Sequence, residues 1–152
     1  MKKIMIVLAF CFGTFACQAQ VEGEVTPMEL GDAPVHSYAS LLYELQQNIR
    51  SDAYGSGADK LLAGWNPRKT SIKEAAAQLA AIEFNLKTNL LRPEWSAGQK
   101  EWRSNLKTTG EKTDVLRSLK TFELGLKDEA FLKTWTPLRD DWRRNLEKLL
   151  TP

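Results

Sequence analysis

Glu83 and Glu123 are the two side chains with the clearest chemical potential, because each carboxylate interrupts an apolar helical stripe at a matching place. A pair of carboxylates can hydrolyse a glycosidic polymer, one protonating the leaving oxygen and the other serving as base or nucleophile. Each of these acids has a matching base, Arg103 and Arg143. Acids on helices are usually solvated or ion-paired, so a structural ion pair is the plainer reading of Glu83–Arg103 and Glu123–Arg143. A di-metal bundle site would need Glu followed by His three residues later. The one histidine, His36, follows no glutamate in that way. No phosphate loop, dinucleotide fingerprint or nucleophile elbow occurs. The sequence therefore assigns no catalytic residue, no cofactor and no metal ligand.

Tryptophan is the second candidate chemistry. Trp65, Trp95 and Trp135 would form a ligand platform if their rings were exposed, stacking on sugars or peptide side chains. Trp95 and Trp102 are seven residues apart, as are Trp135 and Trp142, and Leu106 and Leu146 extend those faces. Seven residues make two helical turns, so Trp102 and Trp142 are expected in a core, where truncation to alanine costs ~3–5 kcal/mol. Trp65, beside Asn66-Pro67, is the ring expected to be most exposed.

The elements that must carry these residues are helices. Ser37 caps a stripe of Leu41, Leu42, Leu45 and Ile49, which Asp52 to Gly57 closes. Ser71 and Glu74 make a capping box ahead of Ala76, Leu79, Ile82, Leu86 and Leu90. Trp95, Trp102 and Leu106 mark a third helix, stopped by Gly110. Thr113 or Asp114 caps a fourth, and Thr136-Pro137 opens a fifth. The fold class is all-α, with about five to six helices.

These helices repeat. Trp-x6-Trp-Arg-x-Asn-Leu occurs at 95–106 and again at 135–146, a shift of 40 residues that also matches Leu79 with Leu119 and Glu83 with Glu123. A degraded third copy is placed at a shift of 41, aligning Tyr43, Leu45, Asn48 and Tyr54 with Phe84, Leu86, Asn89 and Trp95. Trp65 would then match Trp102 after a four-residue insertion. Two helices in each 40-residue unit predict stacked hairpins, forming a compact bundle or a short solenoid. Glu83 and Arg103 are equidistant from Pro93, and Glu123 and Arg143 from Lys133. Antiparallel hairpins turning at those points bring at least one of these acid–base pairs within ~4 Å.

The N-terminal quarter of the chain concerns destination. Lys2 and Lys3 precede an apolar run from Ile4 to Ala16, too short for a membrane span, and Cys17-Gln18-Ala19 supplies small residues for cleavage before Gln20. Residues 1–19 are therefore expected to be a signal peptide of bacterial type. Lipidation of Cys17 is the alternative, with Ala16 in favour of it and Phe15 against it. Residues 20–36 contain Glu22, Glu24, Glu29 and Asp32, with Pro27 and Pro34, and read as an acidic flexible linker. Residues 37–152 are the helical domain. Both cysteines, Cys11 and Cys17, lie in the signal region, so thiol catalysis and disulfides are excluded from the domain. Without Lys2 and Lys3 the chain has 19 bases and 19 acids, a balance that argues against a nucleic-acid partner.

The expectation from sequence is an exported, non-enzymatic helical interaction module. It would be periplasmic, secreted or lipid-anchored, with a protein or glycan partner at the cell envelope and no transmembrane span. The alternative is a carboxylate-based hydrolase of an envelope polymer.

Overall fold

Ser37 and Ser71 open two helices with the same device, each hydroxyl accepting from the backbone three residues on while that residue's side chain accepts from the cap N–H. The computed structural model describes residues 37–152. The expected signal peptide (1–19), Cys17 and the linker (20–36) lie outside the described residues. The six described α-helices are α1 (Tyr38–Asn48), α2 (Ala58–Ala63), α3 (Ile72–Asn85), α4 (Trp95–Thr108), α5 (Lys112–Gly125) and α6 (Thr136–Leu150). No strand occurs among the described residues, and none of their helices is long and apolar enough to cross a membrane.

Helix ends differ from the sequence expectation in four places. The apolar period runs on to Leu90, yet α3 stops at Asn85, whose side chain folds back on the Ala81 carbonyl at 2.8 Å. Asn48 ends α1 in the same way, on Glu44 at 2.7 Å. A side-chain donor on the i−4 carbonyl competes with the backbone ladder and leaves the next residue free to extend. α5 starts at Lys112 behind Glu111 rather than at Thr113 or Asp114. Thr136 is the first residue of α6 rather than its cap.

Extension after each of these helices makes three equivalent backbone seams. Lys87 donates to Ala53 at 2.9 Å, and Gly55 to Asn85 at 2.8 Å. Lys127 donates to Leu90 at 2.9 Å, and Arg92 to Gly125 at 2.8 Å. Arg50 donates to Ala130 at 2.9 Å, and Leu132 to Asn48 at 2.8 Å. Isolated bridges accordingly join Tyr54 to Leu86, Leu91 to Leu126, and Phe131 to Ile49. The third seam returns from the last unit to the first, so three hairpins close on themselves and do not form an open solenoid.

The closure sets the register of the weak copy. Unit 1 (α1–α2) aligns with unit 2 (α3–α4) at a shift of 37, not 41, and Trp65 meets Trp102 without an insertion; unit 3 (α5–α6) follows at 40. Leu45, Ile82 and Phe122 then share one position, and so do Ile49, Leu86 and Leu126. The missing three residues fall after Trp65, in the connection that contains a 3₁₀ turn at Pro67–Lys69.

The inner helices α1, α3 and α5 each pack on the other two. Leu41, Leu42, Leu45, Leu79, Ile82, Leu119 and Phe122 are fully buried there. Full burial of each such side chain contributes ~1.5–3 kcal/mol. The outer helices wedge between them, α4 against α3 and α5, and α6 against α5 and α1.

Candidate functional site

The two repeated acids are buried inside the wall between inner and outer helices. The Glu83 side chain is 1% exposed and lies 2.9 Å from Arg103 Nε; the Glu123 side chain, also 1% exposed, lies 2.6 Å from Arg143 Nη2. Both acid–base pairs therefore form, as antiparallel hairpins require. Glu83 Oε1 also accepts from Trp95 Nε1 at 3.3 Å and from Gln99. Buried carboxylates are tolerated only when their lone pairs are met by donors, and here they are.

Gln99 and Arg139 occupy one repeat position, and the difference between them reorganises the third unit. Arg139 donates to Glu123 Oε1 at 2.5 Å and to Asp128 Oδ1 at 2.8 Å, while its guanidinium lies 4.2 Å from the Phe131 ring centroid. With Arg139 in that place, the buried Trp135 indole N–H has no partner among the described residues, unlike its counterpart Trp95. The Arg139 hydrogen bond holds the Asp128 carboxyl below the usual aspartate range. The bond from Glu123 raises the Arg143 guanidinium above its ordinary value. In unit 1 the acid is replaced by buried Gln46, which donates to the Leu62 carbonyl at 3.3 Å and accepts from Gln78 at 2.9 Å. Gln46, Gln99 and Arg139 were not singled out from sequence; the 37-residue shift that aligns Gln46 with Glu83 is the signal that finds the first.

Trp102 and Trp142 are buried, at 5% and 2% exposure. Trp102 Nε1 donates to Ser118 O at 2.9 Å, and Trp142 Nε1 to Leu41 O at 3.0 Å. Trp95 and Trp135 are buried as well, at 7% and 1%, so neither has a ring face free for a ligand. The platform of Trp65, Trp95 and Trp135 is thereby corrected. Trp95 packs edge-on against Trp102 and Phe122, and Trp135 edge-on against Trp142. Trp65 is half-buried, its N–H on Thr70 Oγ1 at 3.0 Å and its ring 6.2 Å from Tyr43.

The accessible feature lies on the outer side of the Glu83–Arg103 pair. Between α3 and α4 runs an apolar groove of about 750 Å³, floored by Ala76, Ala77, Ala80 and Ala81 and flanked by Phe84 and Leu106. Phe84 is 74% exposed, far more than any other large apolar residue described. Lys73, Arg103 and Lys107 edge the groove.

In the other two units the position of Ala80 carries a large side chain. In unit 3 the space shrinks to about 60 Å³, because Lys120 stands where unit 2 has Ala80 and pairs with Glu147, the counterpart of Lys107. In unit 1 the counterpart of Ala80 is Tyr43, which lies against Trp65. The alanine run of α3 was the available sequence signal, but alanine on a helix stripe also reads as core.

Among the described residues no group of three or more His, Cys, Asp or Glu side chains is placed to hold a metal ion.

The comparisons with known proteins add a family without an assigned activity. Residues 69–136 match the model of a family described as "Domain of unknown function (DUF8799)", a span that takes in unit 2 and the inner helix of unit 3. No curated protein and no solved structure matches the chain.

Proposed function

We propose that the chain is an exported, non-enzymatic interaction module of the bacterial envelope or secretome, which engages a protein or glycan partner through the groove of unit 2. The observation that carries this reading is the contrast among three equivalent positions. Two carry a large side chain at that position, Tyr43 against Trp65 and Lys120 against Glu147, while the third has only Ala80 and is left apolar, open and flanked by the exposed ring of Phe84. Exposed apolar surface rimmed by polar residues is the usual mark of an interaction site. Export, by a cleaved signal or a lipid at Cys17, is supported by the basic, apolar and small-residue order of residues 1–19.

The arrangement of Glu83 and Glu123 counts against the hydrolase alternative. A general acid or nucleophile must reach its substrate, and these carboxylates are enclosed and held by arginine. The test is capture of envelope proteins and glycans on the immobilised chain, beside an assay for release of soluble fragments from envelope polymers. Capture by the wild type that is lost in Phe84→Ala, without fragment release, is the expected result. Fragment release abolished by Glu83→Gln or Glu123→Gln would establish the enzyme instead.

A further inference from the structure

The groove of unit 2 can be described by what it lacks. In unit 3 the Lys120 stem covers the floor and its ammonium reaches Glu147 across the gap. In unit 1 Tyr43 stands at the position of Ala80, its ring 6.2 Å from that of Trp65. Unit 2 has the floor and the far wall but no covering side chain, since Ala80 ends at its methyl group. Its far wall is also reversed in charge, with Lys107 where unit 3 has Glu147. Lys73 adds a second cation, and neither lysine has an ion-pair partner among the described residues.

The missing group is therefore an aliphatic or aromatic side chain accompanied by a negative charge. Resting on the interaction-module reading, we propose that the α3–α4 groove docks an acidic amphipathic segment of a partner protein, a Leu or Phe covering the Ala77–Ala80–Ala81 floor and carboxylates meeting Lys73 and Lys107. Charge complementarity favours this occupant, since Lys73, Arg103 and Lys107 line the groove against one carboxylate, Glu83, which is already held. It also favours a peptide over a glycan. The one carboxylate lining the groove, Glu83, is already held by Arg103, Gln99 and Trp95, and a single phenyl ring makes a small sugar platform. The domain from Ser37 onward, with 19 bases and 15 acids, suits an acidic partner.

The test uses the full chain, isotope-labelled, and three probes. The first is a synthetic helical peptide with Leu and Phe at i, i+3, i+4 and i+7 and Glu on its remaining face. The second has Lys in place of every Glu, and the third is a mixture of soluble peptidoglycan fragments. Expected are resonance shifts at Ala77, Ala80, Ala81 and Phe84 with the acidic peptide alone. Lys73→Glu/Lys107→Glu should weaken that peptide by at least about tenfold and admit the lysine peptide in its place.

Equal binding of both peptides, or binding away from Phe84, would overturn the proposal. Shifts at the groove with the glycan fragments alone would overturn the acidic partner while leaving an interaction module. Concentration-dependent shifts at the groove without any probe would make a second copy the occupant, with the same consequence. Silence at the groove with all three probes, together with envelope capture unchanged in Phe84→Ala, would remove both readings.

Discussion

Trp142 donates its indole N–H to the carbonyl of Leu41 at 3.0 Å, across 101 residues of sequence. Trp102 makes the equivalent bond to Ser118 at 2.9 Å, so each outer helix reaches into the next unit's inner helix. In the case of Trp142 the next unit is the first. Trp65 stands at the matching place in unit 1 but bonds Thr70 of its own connection, leaving two such staples.

Removing either staple should be expensive. Trp102→Ala and Trp142→Ala each delete a buried ring and are expected to cost ~3–5 kcal/mol, read from chemical denaturation. Trp142→Phe keeps most of the volume and loses the bond to Leu41, for about 0.5–1.5 kcal/mol.

The two buried acids should respond unequally to loss of their outer arginine. Among the described residues Glu83 has Arg103 as its sole cationic partner, whereas Glu123 has Arg143 and the more deeply placed Arg139. Both outer arginines are themselves about half-exposed and rehydrate readily, which lowers the cost below that of a fully buried pair. Arg103→Ala should therefore lose about 2–3 kcal/mol and Arg143→Ala about 1. The reverse order in denaturant midpoints would show that Arg139 does not support Glu123.

Two glycines in helices should give opposite signs. A methyl group on Gly125 would meet the Trp95 ring, with Cδ2 at 3.0 Å, and Trp95 is held by its bond to Glu83. Gly125→Ala is expected to destabilise by ~1–3 kcal/mol despite its better helix propensity. Gly98 of α4 has open space around its Cβ direction, so Gly98→Ala should stabilise by up to ~1 kcal/mol.

Much of this frame is legible in the sequence, and what is not has a physical cause. The ion pairs follow from hairpin symmetry about Pro93 and Lys133, since units 2 and 3 kept acid and base alike. Unit 1 has Gln46 for the acid, Asn66 for the arginine and Ala58 for the first tryptophan, and is three residues shorter after Trp65. Side-chain identity therefore pointed to a shift of 41, whereas the backbone seams require 37. The inward turn of Trp95 was hidden for another reason. It depends on Gly125 in the neighbouring unit, whose lack of a side chain makes room for Trp95.

The groove can be closed with the chain's own solution. Ala80→Lys with Lys107→Glu reproduces the Lys120–Glu147 arrangement of unit 3. This double variant should keep its melting temperature within a few degrees of the wild type, an exposed pair contributing ~0–1 kcal/mol. It should also lose the acidic peptide. Peptide binding undiminished in a folded double variant would place the docking surface elsewhere.

The three hairpins are equivalent members of one closed ring, and hydrogen exchange tests this at single amides. In a closed ring the Arg50 and Leu132 amides, which join the last unit to the first, exchange as slowly as Gly55 and Lys87 or Arg92 and Lys127 at the other two seams. Near-equal protection across all six amides is the predicted result. Strong protection at the first two seams with near-intrinsic exchange at Arg50 and Leu132 would contradict it, and would describe an open array of hairpins.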